Sequence, residues 1–161
     1  MNKSDFKFSY EVYASAADLN KEDAWLLQHA KDISKTAYAP YSHFQVGAAA
    51  RLINGEMVKG TNQENAAYPA GLCAERVLLS TAATLYPQVP IDTLAISYRS
   101  DRAKSDHPIS PCGICRQSLQ EFEYKLHHPI RLILGGIDGK VFVIEKASQL
   151  LPLSFTSTDL G

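Results

Sequence analysis

Hydrophobic and polar positions change period several times along the chain, and each change marks an element. Leu26, Ala30, Ile33 and Ala37 recur at helical spacing behind Asn20 and Asp23, a helix cap with an acid in its first turn. That helix has to stop before Pro40. Phe44 to Ile53 is a nearly continuous apolar run and reads as a buried strand; Asn54-Gly55 is a hairpin signal, and a returning strand begins over Glu56 to Gly60. Thr61 to Leu72 is polar and irregular, interrupted by Pro69 and Gly71. Ala74, Val77, Leu78, Ala82 and Ala83 predict a second helix from Cys73 to just before Pro87, followed by a strand over Thr93 to Tyr98.

A charged loop, Arg99 to His107, separates that strand from a third helix, which opens near Pro111-Cys112 and runs through Leu119 and Phe122. Ile130 to Leu134 and Val141 to Ile144 are the last strands, joined by a turn containing Gly135, Gly136 and Gly139. This order predicts an α/β fold, with helices covering a mixed, roughly five-stranded sheet. The domain runs over residues 20–161, preceded by an N-terminal extension, residues 1–19. In that extension Phe6, Phe8, Tyr10 and Val12 alternate with Lys7, Ser9, Glu11 and Tyr13, the period of a half-buried strand. A segment covering a neighbouring surface and a loosely attached tail both fit that alternation.

Composition narrows the field. The 161 residues are 45% hydrophobic and 20% charged, with a formal net charge of -1, so no general positive excess awaits a phosphate backbone. Nucleic acid is therefore not expected as a partner. No apolar run approaches the ~20 residues of a membrane span, and the first residues lack the apolar core of a secretory signal. No membrane association and a cytoplasmic location are expected. Three cysteines, an odd number, argue against a disulfide framework and for metal or catalytic use.

The chemistry concentrates in Cys73-Ala74-Glu75-Arg76 and Pro111-Cys112-Gly113-Ile114-Cys115. Cys112 and Cys115, three apart on a helix, set their sulfurs about 60° apart around the axis, close enough to share an ion. Both fragments open helices, where free N–H groups favour thiolate over thiol. On an ideal helix Cys73 and Glu75 would stand about 200° apart, so both face one ion only if Cys73 lies at the very start of its helix. Three thiolates leave one position of tetrahedral zinc for water, as a catalytic site requires. His29, His43, His107, His127 or His128 could close that position, though none has a telling spacing. Three thiolates outweigh the charge of Zn²⁺, and Arg76 is placed to offset this by donating hydrogen bonds to ligand sulfurs. A bare Cys-x-x-Cys alone would read as structural zinc or a redox pair. Cys-x-Glu followed by Pro-Cys-x-x-Cys is instead the signature of zinc deaminases in its three-cysteine form.

On these motifs the chain resembles the small, homotetrameric class of cytidine deaminases. The resemblance covers about residues 20–160. It includes Ala37 to Phe44, Val46 to Ala49, Asn62 to Tyr68, Cys73 to Arg76, Pro111 to Gln117 and Leu150 to Phe155. It implies a three-layer α/β/α sandwich, one Zn²⁺ per subunit on Cys73, Cys112 and Cys115, and Glu75 as proton shuttle in hydrolysing the 4-amino group of cytidine or deoxycytidine. It further implies that Asn62 and Glu64 hydrogen-bond the sugar, that Phe44 packs against the pyrimidine and that the Ala74 N–H contacts the base. Tyr68 and Phe155 would reach into the pocket of an adjacent subunit, making the sites shared within a homotetramer. Rival readings are a deaminase of a modified cytosine nucleoside of the blasticidin type, a polynucleotide-editing deaminase, and a non-enzymatic structural zinc module.

Overall fold

In the computed structural model, which describes residues 1–161, the alternation along the strands parts the apolar side chains into two layers. Six strands form one sheet: β1 (Glu11–Tyr13), β2 (Phe44–Leu52), β3 (Met57–Thr61), β4 (Ile91–Ser100), β5 (Arg131–Gly135) and β6 (Val141–Ile144). Their order is β1-β6-β5-β4-β2-β3; only β4 and β5 run parallel. A parallel neighbour needs a crossover, and α3 (Gly113–Leu126) supplies it.

Ala49, Ala95 and Ile133 point to one face, where α1 (Lys21–Ser34) buries Leu26, Leu27 and Ala30 against them. Their sequence neighbours Ala48, Leu94 and Leu132 point to the other face. There Leu78 of α2 (Ala74–Leu85) and Leu119 of α3 complete the larger core. Each fully buried leucine contributes about 1.5–3 kcal/mol through the area it removes from water. The result is three layers, as expected, on a sheet one strand wider than expected.

The extra strand comes from the N-terminal extension. Glu11, Val12 and Tyr13 pair with Val143, Phe142 and Val141 of β6. The alternating pattern reaches back to Phe6, but β6 has only four residues and ends at Ile144, the position opposite Tyr10. Phe6, Phe8 and Tyr10 instead follow one another at ring distances of 6.3 and 6.1 Å, and Tyr10 rests on Phe142 at 4.9 Å.

Two polar contacts set the helices that matter most. Asn20 caps α1 by accepting from the Asp23 N–H at 2.9 Å, and buried Asp23 receives Arg131 of β5 in a two-pronged ion pair at 2.8 and 2.9 Å. Near the end of α3, buried Glu123 accepts from the N–H groups of Ile130, Ala147 and Ser148 at 2.8, 2.9 and 3.2 Å. One carboxylate thus joins the helix to Ile130, the residue leading into β5, and to the 3-10 turn Ala147–Leu150. The start of α2 is set by close approach: a side chain at Gly60 of β3 would overlap the backbone of Ala74 and Leu78.

Candidate active site

Cys73 and Cys112 are the N-cap residues of α2 and α3, both with extended backbone (φ -74°, ψ 152° and φ -67°, ψ 168°). Neither side chain caps its own helix, which leaves both sulfurs free to turn toward each other. Cys115, in the first turn of α3, is fully buried. The Sγ atoms of Cys73 and Cys112 are 3.6 Å apart and those of Cys112 and Cys115 3.4 Å. All three lie within 4.8 Å of one another, and no histidine or carboxylate joins the group.

These distances allow a test of metal fit. A tetrahedral zinc with Zn–S bonds of about 2.3 Å requires sulfurs roughly 3.8 Å apart. The observed spacings come within a few tenths of an ångström of that. Without a cation the thiols cannot all ionise together. S–H donation from Cys115, S–H donation from Cys112 and the charge of Arg76 prevail over burial and bring the Cys73 pKa down to about 6. Donation to Cys73, burial and the nearby Glu75 carboxylate push Cys115 far up. A divalent cation removes this conflict. The donor set fits zinc, which Cys73, Cys112 and Cys115 would hold, and no fourth histidine, cysteine or carboxylate joins the group.

Glu75 is the second residue of α2 and only 5% exposed. Burial raises its pKa and the Cys73 thiolate adds to the rise, while its own backbone N–H and the Cys115 thiol oppose it. The helical angle that would separate Cys73 from Glu75 is avoided because Cys73 precedes the helix proper. Arg76 departs from expectation: it makes no hydrogen bond to any of the three sulfurs. Its guanidinium acts on Cys73 through charge alone.

The remaining residues named from the sequence fall into two groups. Phe44, Asn62 and Glu64 frame one loop. The Asn62 side chain accepts from the Val46 N–H at 2.7 Å and donates to the Phe44 carbonyl at 2.8 Å. Glu64 Oε2 accepts from the Tyr41 and Ser42 N–H groups at 2.8 and 3.2 Å. Each keeps hydrogen-bonding capacity to spare, since an amide has four such positions and a carboxylate about as many. Ala74 is buried at the first position of α2, where its N–H finds no acceptor within its own helix. Tyr68 and Phe155 form the second group and stand out from the single chain, 92% and 58% exposed.

Three residues take parts that the sequence did not assign to them. Tyr98, buried near the end of β4, stacks on Phe44 at 4.9 Å and 20°. Arg116 donates to the carbonyls of Pro111 and Leu150 at 2.8 and 3.1 Å, holding the approach to Cys112. His43 takes a left-handed conformation, φ 56°, which turns the chain into Phe44. Arg116 left a trace in its place four positions after Cys112, and His43 stood among the histidines considered for the fourth zinc position, a group it does not join; Tyr98 left none.

Three soft donors at two helix starts, beside a buried acid, are the equipment of a metal-dependent hydrolase. Residues 20–127 match the family model described as "Cytidine and deoxycytidylate deaminase zinc-binding region". A cytidine deaminase of Halalkalibacterium halodurans is 37% identical over 136 residues, spanning 84% of this chain and 96% of that protein. One from Sporosarcina psychrophila is 33% identical over 136 residues, spanning 84% and 93%. The crystal structure of cytidine deaminase from Burkholderia pseudomallei superposes with a TM-score of 0.69 at 36% identity, covering 81% of this chain and 97% of that one. The chain belongs to the cytidine and deoxycytidylate deaminase family, whose shared region binds zinc.

Proposed function

We propose that the protein hydrolyses cytidine and 2′-deoxycytidine to uridine and 2′-deoxyuridine with release of ammonia, and that it serves pyrimidine salvage in the cytoplasm. The observation that carries this is the convergence of Cys73, Cys112 and Cys115 within 4.8 Å, with buried Glu75 beside them, in a chain of this family. Zinc held by the three thiolates supplies the Lewis acidity that makes water a nucleophile near neutral pH.

Everything else is done by the chain. The starts of α2 and α3 stabilise the thiolates with their free N–H groups. Glu75 takes a proton from the attacking water and passes it to ring N3, which makes C4 electrophilic. It then carries the second proton of that water to the departing amino group, so that ammonia leaves and a carbonyl remains at C4. The Ala74 N–H and Phe44 hold the base, and the spare capacity of Asn62 and Glu64 takes up the sugar hydroxyl. Tyr68 and Phe155 complete the site of a neighbouring subunit in a homotetramer; a tyrosine 92% exposed has no packing role in its own chain. No helix is long and apolar enough to cross a membrane, and three free cysteines suit a reducing compartment.

The test is direct: mix purified protein with cytidine, follow the loss of its ultraviolet absorbance and measure zinc alongside. Turnover with about one zinc per chain is expected. Stoichiometric zinc with no turnover would leave a structural module. Faster turnover of a blasticidin-type nucleoside than of cytidine, or activity confined to single-stranded DNA or RNA, would move the substrate assignment.

A further inference from the structure

The charged segment after β4 has no place in the chemistry above, yet it is tied to the substrate loop at two points. The Asp101 N–H donates to the His43 carbonyl at 3.4 Å, and Arg102 Nη2 donates to the Tyr41 carbonyl at 3.2 Å. Tyr41 and Ser42 are the residues whose N–H groups hold Glu64. At its other end the segment is anchored on the β5–β6 turn, where the Ser105 carbonyl accepts from the Ile137 N–H at 2.7 Å. Gly139, with φ 79°, lies against the Asp106 backbone so closely that any side chain would collide with it.

Tyr98 joins this strap to the base-side wall. Val46 and Tyr98 are register partners, so Phe44, Val46 and Tyr98 share the sheet face that carries α2 and α3. The Tyr98 ring is 1% exposed and stacks on Phe44. Its hydroxyl lies 3.2 Å from the His107 ring and donates to the Lys104 carbonyl at 3.4 Å. Phe44 is half-buried, with one ring face on Tyr98, so Tyr98 decides where the other face sits. His43, the residue that turns the chain into Phe44, holds an unfavourable left-handed conformation, and such strain persists only where the surroundings enforce it. The Asp101 contact is part of that enforcement.

We propose that Tyr98 is a positioning residue for base binding, acting through Phe44, and that residues 101–107 are a strap holding the Tyr41–Phe44 loop in its substrate-binding shape. This rests on the assignment of Phe44 to the base. Tyr98 touches neither substrate nor metal; it lowers the cost of ordering the wall on which the pyrimidine lies.

Cytidine kinetics of the zinc-loaded full chain test it. Tyr98→Leu should raise KM about tenfold with kcat held within about threefold, the pattern of lost uniform binding. Tyr98→Phe, which keeps the stacked ring but loses the hydroxyl's ties to the strap, should raise KM by about threefold, less than Tyr98→Leu. In a Phe44→Leu background the effect of Tyr98→Leu should shrink below about twofold, because the two residues act as one unit. Arg102→Ala, on the exposed strap, should raise KM about threefold with zinc content and Tm unchanged. An unchanged KM in Tyr98→Leu, or full additivity with Phe44→Leu, overturns the proposal. Should Tyr98→Leu fail to fold, an unchanged KM in Arg102→Ala overturns it alone. If wild type turns over cytidine but Phe44→Leu leaves KM untouched, it is the base assignment of Phe44 that falls, and the positioning role with it.

Discussion

Glu75 is the side chain on which the proposed reaction turns, and its position follows from one backbone detail. Cys73 sits outside α2 with extended dihedrals, so a thiol and a carboxyl two positions apart meet on the same side. Glu75→Gln keeps the volume and a hydrogen-bonding end but cannot carry protons. Turnover should fall by ~10²–10⁴-fold with zinc content and melting unchanged, as measured by steady-state kinetics beside metal analysis. Half of wild-type activity in that variant would remove Glu75 from its role. Cys112→Ala takes away one of three sulfurs. The remaining pair should no longer retain stoichiometric zinc through dialysis, and turnover should be lost with the metal.

The elements carrying these residues are held by polar ties that span the chain. Glu123 gathers three N–H groups at the end of α3, and truncating it leaves buried donors without an acceptor. Glu123→Ala should cost about 2–3 kcal/mol, a fall in Tm of roughly 4–12 °C for a chain of this size. Turnover per bound zinc should stay near wild type, since the start of α3 is held separately by Arg116. A second tie links β2, β4 and α1: Arg51 binds Asp92 at 2.7 Å and also pairs with Glu22. Burial would raise the Asp92 pKa, but hydrogen bonds from Arg51 and Thr93 outweigh it and hold the carboxyl below its ordinary value. A carboxyl depressed in the folded state stabilises the fold above its unfolded pKa of about 3.9 and loses that contribution as pH falls through the lower folded value. Asp92→Asn should therefore be less stable than wild type at pH 7 by under about 1 kcal/mol, the pair being partly exposed. The gap should close in acid, as denaturant titrations at several pH values would show.

For the molecule as a whole, Tyr68 and Phe155 are the exposed aromatics on which the proposed sharing of sites rests. If Tyr68 completes a neighbour's site, Tyr68→Ala and Cys112→Ala proteins should each be poorly active alone. Mixed and allowed to exchange subunits, they should recover activity, because some sites then combine intact thiols with an intact tyrosine. No recovery in demonstrably mixed oligomers would mean that Tyr68 serves only its own chain. The same scale accounts for the sixth strand. Val12 and its neighbours extend the sheet at β6, adding an edge strand from residues that precede the matched region 20–127.

Motifs local in the chain were legible directly. The Asn20 cap, the hairpin at Asn54-Gly55 and the two cysteine-bearing helix starts depend on neighbours a few positions away, where backbone geometry leaves few choices; the three-thiol set, which joins Cys73 to Cys112 39 positions on, was legible only because its two fragments together match a known signature. Contacts between distant segments were not. Nothing in the order of residues says that Asp23 meets Arg131, that Tyr98 backs Phe44, or that the loop after β4 straps the loop before β2. Strand order and register, set by burying two apolar faces at once, bring those pairs together. Arg76 marks the same boundary: its position beside Cys73 was plain from the chain, but whether its guanidinium reached a sulfur depended on how α2 packs. It acts by charge, without a hydrogen bond.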